Sequence, residues 1–236
     1  MCIDYFYPDP KTFLSIEEDS IKKATNCSAL TKFGQLFSKL QGLRGQVKNS
    51  GLNFISHLDV EGPKGRKLKI MFGGLVNIDD DSNYKNTNYK VIIVDVEKEK
   101  IIKSIHYDFE PSVKRNRSEI KPSMHIQFGG ELGPFQGYAN NLGMDINENS
   151  YDSDSFGFEK TRIAFHPITL ISLLNSIFLE FSHIEKIEAI VKDSTWKKTI
   201  CELERRLLKK YYEHGGEVLD DSQNNNPLLY SYYDFL

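Results

Sequence analysis

The sequence predicts an α+β fold: an antiparallel sheet of about five or six strands, an N-terminal helical segment and two C-terminal helices. Three observations carry this expectation. Apolar residues recur at three- and four-residue steps between Ser15 and Lys48, at a step of two between Gly51 and Gly130, and at the helical step again after Pro167. Helix, then sheet, then helices is the order of an α+β domain. A single domain over 1–236 is expected, with a helical lead-in (1–50), a sheet (51–166) carrying a long insertion (129–160), helices (167–216) and a tail (217–236).

Residues 1–12, with two prolines and several aromatics, read as irregular. Ser15 followed by Glu18 reads as a capping-box helix start. Leu30, Phe33, Leu36, Phe37, Leu40 and Leu43 then form one apolar stripe, with a break into two helices expected at Asn26-Cys27-Ser28. Asn53–Val60 alternates Phe54, Ser56, Leu58 and Val60 against Ile55, His57 and Asp59, the period of a strand. Leu68–Ile78 is a second strand whose Gly73-Gly74 signals a bulge or a close backbone approach. Tyr89–Val96 is β-branched almost throughout and is expected to be central, covered on both faces. Lys103–Phe109, Ser123–Phe128 and Thr161–Phe165 complete the strands, and their closeness in sequence favours an antiparallel meander. Gly129–Glu159 reads as a long polar loop. Pro167 is expected to open a helix with Ile168, Ile171, Leu174, Ile177, Phe178 and Phe181 inward. A last helix runs from about Ile184, interrupted at Asp193-Ser194, and ends at Gly215-Gly216.

With 39% hydrophobic and 27% charged residues, the chain has the composition of a globular protein rather than a disordered one. No apolar run reaches the roughly 18 residues that span a bilayer. The start Met1-Cys2-Ile3-Asp4-Tyr5 has no secretory pattern, so a cytoplasmic location and no membrane partner are expected. Three cysteines are too few and too scattered for a disulfide framework or a zinc knuckle. A net charge of −3 excludes a uniformly basic nucleic-acid binder and leaves room for local basic patches.

One polar constellation stands out. Ser56-His57-Leu58-Asp59-Val60, Ile105-His106-Tyr107-Asp108-Phe109 and Met124-His125-Ile126-Gln127-Phe128 share a local pattern. Residues two apart in a strand share a face, so His106, Asp108, His125 and Gln127 lie on one side and Tyr107, Phe109, Met124, Ile126 and Phe128 on the other. If the last two strands pair with Phe109 opposite Met124, Asp108 faces His125 and His106 faces Gln127, with Cβ atoms about 5 Å apart. Two imidazoles beside a carboxylate make an acid–base pair with an orienting group. The link between these strands carries Lys114, Arg115, Arg117 and Lys121, suited to a phosphate chain above the site. The set His106, Asp108 and His125 therefore suits metal-free RNA cleavage by attack of the ribose 2′-hydroxyl. A divalent metal on the same residues has no supporting spacing, and neither metal nor cofactor is expected. A solvated or helix-covered polar face with ordinary hydrogen bonds satisfies the same pattern, and the residues alone leave both readings open.

At these residues the chain resembles the TumE-type toxins of bacterial toxin–antitoxin loci and related uncharacterised bacterial proteins. The matching pieces are His106-Tyr107-Asp108, Pro122-Ser123-Met124-His125, and Arg162-Ile163 leading to Pro167 and its helix, within residues 90–181. The insertion between His125 and Arg162 is longer than the family pattern. The resemblance implies a toxin or phage-defence context, with Arg162 joining the substrate-binding set.

Other motifs fail. Asp145–Ser150 lacks the central glycine and the terminal glutamate of a calcium loop, and Asp79–Asn83 fails similarly. Gly129, Gly130, Gly133 and Gly137 lack the partners of a phosphate-binding loop. Lys197-Lys198, Arg205-Arg206 and Lys209-Lys210 read as a solvated helix face. Two functions are carried forward: an effector that cleaves or binds RNA, and a non-catalytic accessory or antitoxin-like module that binds a cognate protein. The tail Leu228–Leu236, rich in Leu and Tyr, is expected to fold back on its own domain. Deleting residues 228–236 should then lower Tm and leave the oligomeric state unchanged. Unchanged stability with loss of a partner or of self-association marks the segment as an interface instead.

Overall fold

The structure, a computed structural model, describes residues 9–47, 51–78, 84–109, 124–152, 162–164 and 168–220, with backbone alone at 63, 84–86, 109, 124, 125, 148, 162–164 and 210–220. It is an α+β arrangement built on a six-stranded sheet in the order β1-β2-β3-β4-β5-β6, a meander with every neighbouring pair antiparallel. The strands are β1 (Leu52–Glu61), β2 (Lys67–Ile78), β3 (Tyr84–Asp95), β4 (Lys100–Phe109), β5 (Met124–Phe128) and β6 (Arg162–Ala164).

The first helix, α1 (Pro10–Ala24), starts five residues before the expected capping box. Asp9 caps it by accepting from the Thr12 amide at 3.0 Å, and Pro10 occupies the first turn, where its missing N–H is not needed. Ser15 is consequently interior to the helix. The break at Asn26-Cys27-Ser28 is present, followed by a 3₁₀ turn (Ser28–Lys32) and α2 (Gly34–Leu43).

One further start and one end depart from expectation, while the break at Asp193-Ser194 falls where it is expected. The helix after β6, α4 (Leu170–Glu180), is opened by a Thr169/Ser172 capping box rather than by Pro167, which lies outside the described residues. The final helical stretch divides at Asp193 into α5 (Glu185–Lys192) and α6 (Ser194–Asp220). Asp193 breaks the run by turning its side chain onto the Thr195 and Trp196 amides, capping α6. Gly215-Gly216 does not end α6, because interior glycine costs a helix about 1 kcal/mol each without forbidding it.

The insertion is the largest departure. Instead of an open loop, it carries α3 (Pro134–Asn141) and a 3₁₀ turn (Glu148–Ser150). Leu132, Phe135, Ala139, Met144 and Ile146 pack from this segment onto Met71, Ile92, Val94 and Ile101 of the sheet. The opposite sheet face, including Phe54, Leu58, Ile70, Phe72, Tyr89 and Val91, lies under the other helices. The sheet is thus covered on both faces, and β3 is buried along its length from Thr87 to Asp95 apart from half-buried Asn88.

Gly73 and Gly74 meet the expected close approach. A Cβ on Gly73 would stand 2.2 Å from the Phe54 carbonyl oxygen, and one on Gly74 2.5 Å from the Tyr89 ring. The space at Gly74 lets Tyr89 lie over the strand and donate its hydroxyl to Glu17 Oε1. The amide of Leu170 donates to the same oxygen at 2.8 Å, while Glu17 Oε2 is buried without a partner. One carboxyl thereby joins α1, β3 and the start of α4.

Burial raises the Glu17 carboxyl from its ordinary 4.5 to about 7, against the lowering effect of the Tyr89 and Leu170 hydrogen bonds. Its contribution to stability is full below about pH 4.5 and is lost as pH rises through about 7, since the unfolded chain releases this proton first. Glu17→Gln keeps the accepting oxygen and removes the ionisation. The variant should therefore gain on the parent between pH 4.5 and 7, by at most about 3 kcal/mol at pH 8. Denaturant midpoints at pH 4.5 and 8 check this, and an equal difference at both pH values would refute it.

Candidate functional site

The pairing of β4 with β5 sets Phe109 opposite Met124, Asp108 opposite His125 and His106 opposite Gln127, the pairing expected from the sequence. Carried across the neighbouring strands, this register makes two adjacent polar rows on one face. The first is Lys90–His106–Gln127–Arg162 and the second is Asn88–Asp108–His125. His125 and Arg162 are thus placed in these rows by their backbone. Lys114, Arg115, Arg117 and Lys121 lie outside the described residues, as does the tail 228–236. His57 and Asp59 project to the same face but sit on β1, separated from β4 by β2 and β3, and do not join the rows.

Four described side chains in the rows, Asn88, Asp108, His106 and Lys90, are held by hydrogen bonds. Asn88 donates its amide N–H to Asp108. His106 donates Nε2–H to the Gly129 carbonyl, which also accepts from the Ser104 hydroxyl at 3.4 Å. Lys90 donates to the Glu131 carbonyl, and Tyr151 donates to the Gly130 carbonyl at 2.8 Å. Three successive carbonyls at the start of the insertion are therefore taken by side chains from β3, β4 and the insertion itself. Gly129 and Gly130 permit this with φ of +77° and +83°, where a side chain would be strained.

The electrostatics follow from burial. Lys90 is only 3% exposed, and burial brings its ammonium down to about 8, although the Asp108 and Glu131 carboxylates pull the other way. His106 is pushed down to about 4, chiefly by burial and then by the Lys90 charge, against the Gly129 hydrogen bond. At neutral pH it is a neutral imidazole with Nε2 protonated and Nδ1 3.9 Å from the Asp108 carboxylate. The two rows thus present a cation at Lys90 and a neutral imidazole at His106 beside a carboxylate at Asp108 fixed by Asn88.

Lys90 sits within the β-branched segment Tyr89–Val96, whose pattern masks it, and Asn88 precedes that segment, so the sequence singles out neither. The signal for Lys90 is its setting: a lysine inside a strand covered on both faces must find a partner or lose charge. Among the described residues, no group of three or more His, Cys, Asp or Glu is placed to hold a metal ion. Nor is any described helix long and apolar enough to cross a membrane.

Comparison with family profiles, with curated proteins and with solved structures yields no match. The chemistry of this chain is read from its own geometry.

Gly130 is the position most sensitive to substitution here. A Cβ at that residue would stand 2.8 Å from the His106 ring, at a φ that alanine adopts with strain. Gly130→Ala should destabilise the fold by about 1–3 kcal/mol and displace the imidazole from the Gly129 carbonyl. A lowered Tm together with a shifted His106 titration in NMR checks both parts. An unchanged His106 titration would count against the contact.

Proposed function

We propose that the chain is an RNA-directed effector of toxin or phage-defence type that works through the two polar rows as a metal-independent ribonuclease. The observation that supports this reading is the register, which sets Asp108 beside His125 and lines up Lys90, His106, Gln127 and Arg162 in the adjoining row. In this reading His125 takes the proton of the ribose 2′-hydroxyl as its oxygen attacks phosphorus. The P–O5′ bond breaks, a 2′,3′-cyclic phosphate forms, and His125 returns the proton to the departing oxygen. Asp108 balances the imidazolium that forms in between. Gln127 and Arg162, with Lys114, Arg115, Arg117 and Lys121 of the link, hold the phosphate chain. His106 is too weakly basic to carry the proton near neutral pH and is assigned to positioning the site.

A second reading, a non-catalytic module that binds a protein partner, is favoured by one observation. Lys90, His106 and Tyr151 are committed to consecutive main-chain carbonyls, as in a face built for support. The two readings separate experimentally. The purified protein is expected to cleave RNA but not a 2′-deoxy substitute, with no effect of EDTA. His125→Ala should reduce cleavage by about 100-fold or more, and Asp108→Asn by less. Cleavage retained in a folded His106→Ala/His125→Ala double variant would refute this site, and absence of RNA cleavage by the unmodified protein would leave the binding module.

A further inference from the structure

The sequence motif Ser56-His57-Leu58-Asp59-Val60 has no place in the polar rows, yet the fold builds a second cluster around it. Four elements converge there: Lys39 from α2, His57 and Asp59 from β1, Lys69 from β2 and Tyr138 from α3. Lys39 Nζ donates to the Ile55 carbonyl at 2.9 Å and to the Tyr138 hydroxyl oxygen at 3.1 Å. His57 Nδ1 lies 2.9 Å from the same hydroxyl, and His57 Nε2 lies 3.7 Å from an Asp59 oxygen. Lys69 pairs with the other Asp59 oxygen.

The donors in this chain have one direction. An ammonium can only donate, so the Tyr138 oxygen accepts from Lys39. Its own O–H can then donate to His57 Nδ1 in the tautomer that carries the imidazole proton on Nε2, on the side of Asp59. A neutral His57 agrees with its surroundings, since burial first and then the Lys69 and Lys39 charges lower its basicity against the pull of Asp59. The His57 side chain is 9% exposed and Asp59 is 68% exposed, so the cluster reaches solvent at the carboxylate end. A carboxylate near an imidazole that can accept from a hydroxyl is a grouping able to activate a nucleophile. A lysine directly on the hydroxyl oxygen adds charge where an anionic group would have to approach.

We propose that Tyr138 is the nucleophile of a second site that accepts a phosphoryl group from a phosphate ester, with His57 as its base. Asp59 acts as a positioning residue behind His57. The Tyr138 oxygen forms a bond to phosphorus as the bond from phosphorus to the ester oxygen breaks. The phenolic proton passes to His57 Nδ1 and then to the departing oxygen. Lys39 stands beside the attacked phosphate. The product is a phosphotyrosyl linkage at Tyr138, formed without any further reactant. None of the polar-row residues takes part, so this site stands or falls apart from the ribonuclease reading.

The full chain incubated with bis(p-nitrophenyl) phosphate tests it. The expected result is release of about one equivalent of nitrophenolate per protein, with peptide mass spectrometry placing the nitrophenyl phosphoryl adduct on Tyr138. Tyr138→Phe, which keeps the ring, should abolish the adduct. His57→Gln should slow its formation by about 100-fold. Absence of an adduct at Tyr138 in the unmodified chain overturns the proposal whatever the stability of the variants. An unchanged rate in folded His57→Gln overturns the assignment of the base.

Discussion

Shifting β4 by one residue against β3 would carry His106 and Asp108 to the face packed by α1 and α4, and would turn Tyr107 out of it. The side-chain period of a strand is two, so a register slip exchanges a whole polar set for an apolar one. The polar rows rest on that constraint. The rows Lys90–His106–Gln127–Arg162 and Asn88–Asp108–His125 exist only because three consecutive pairings hold the same register. The apolar alternation on the opposite face, from Phe72 through Val91 to Tyr107, keeps it in place by burial.

The junction at Glu17 works in the same direction from the other side of the sheet. Tyr89 fits only where Gly74 leaves room for its ring, and its hydroxyl reaches Glu17 only if α1 lies above β3. The Leu170 amide adds α4 to the same carboxyl. A buried carboxyl with an unpartnered oxygen is costly, and it makes the relative placement of three elements specific. The outer helices are tied more loosely. Asp19 and Lys23 of α1 pair with Arg206 and Glu202 of α6 at partly exposed positions, where ion pairs contribute little.

Much of this was legible in the sequence because it follows from period and partition. The alternation Phe54/Ser56/Leu58/Val60 and the pairing of His106-Tyr107-Asp108 with His125-Ile126-Gln127 depend only on which residues avoid water. Helix starts were read less well, since Ser15 and Pro167 are plausible caps whose competitors, Asp9 and Thr169, differ only in local backbone geometry. The insertion was misread for a different reason. Its apolar residues, Leu132, Phe135, Met144 and Ile146, are spread among glycines and amides, and only the exposed half of the sheet gives them something to cover. Tyr138, Lys39 and Glu17 carry no mark in the sequence. Each is ordinary in its own segment, and its role is set by partners at least sixteen residues away in the chain.

The capture of the Gly129, Gly130 and Glu131 carbonyls also has a consequence for the order of assembly. The acceptors belong to the insertion, while two of the three donors, Lys90 and His106, reach it from β3 and β4. Those donors stand in line only after the β3–β4 pairing has formed, so the covering segment docks onto a sheet that is already in register. The same asymmetry operates in reverse. Side-chain hydrogen bonds from Lys90, His106, Lys39 and His57, main-chain bonds to Ile101 and Ser104 and a small apolar patch hold the segment, whereas the sheet beneath has its own ladder and a larger core. Residues 129–152 are therefore expected to open as a unit while the rest stays folded. Their amides should exchange with solvent water through partial opening, well before those of β2 and β3.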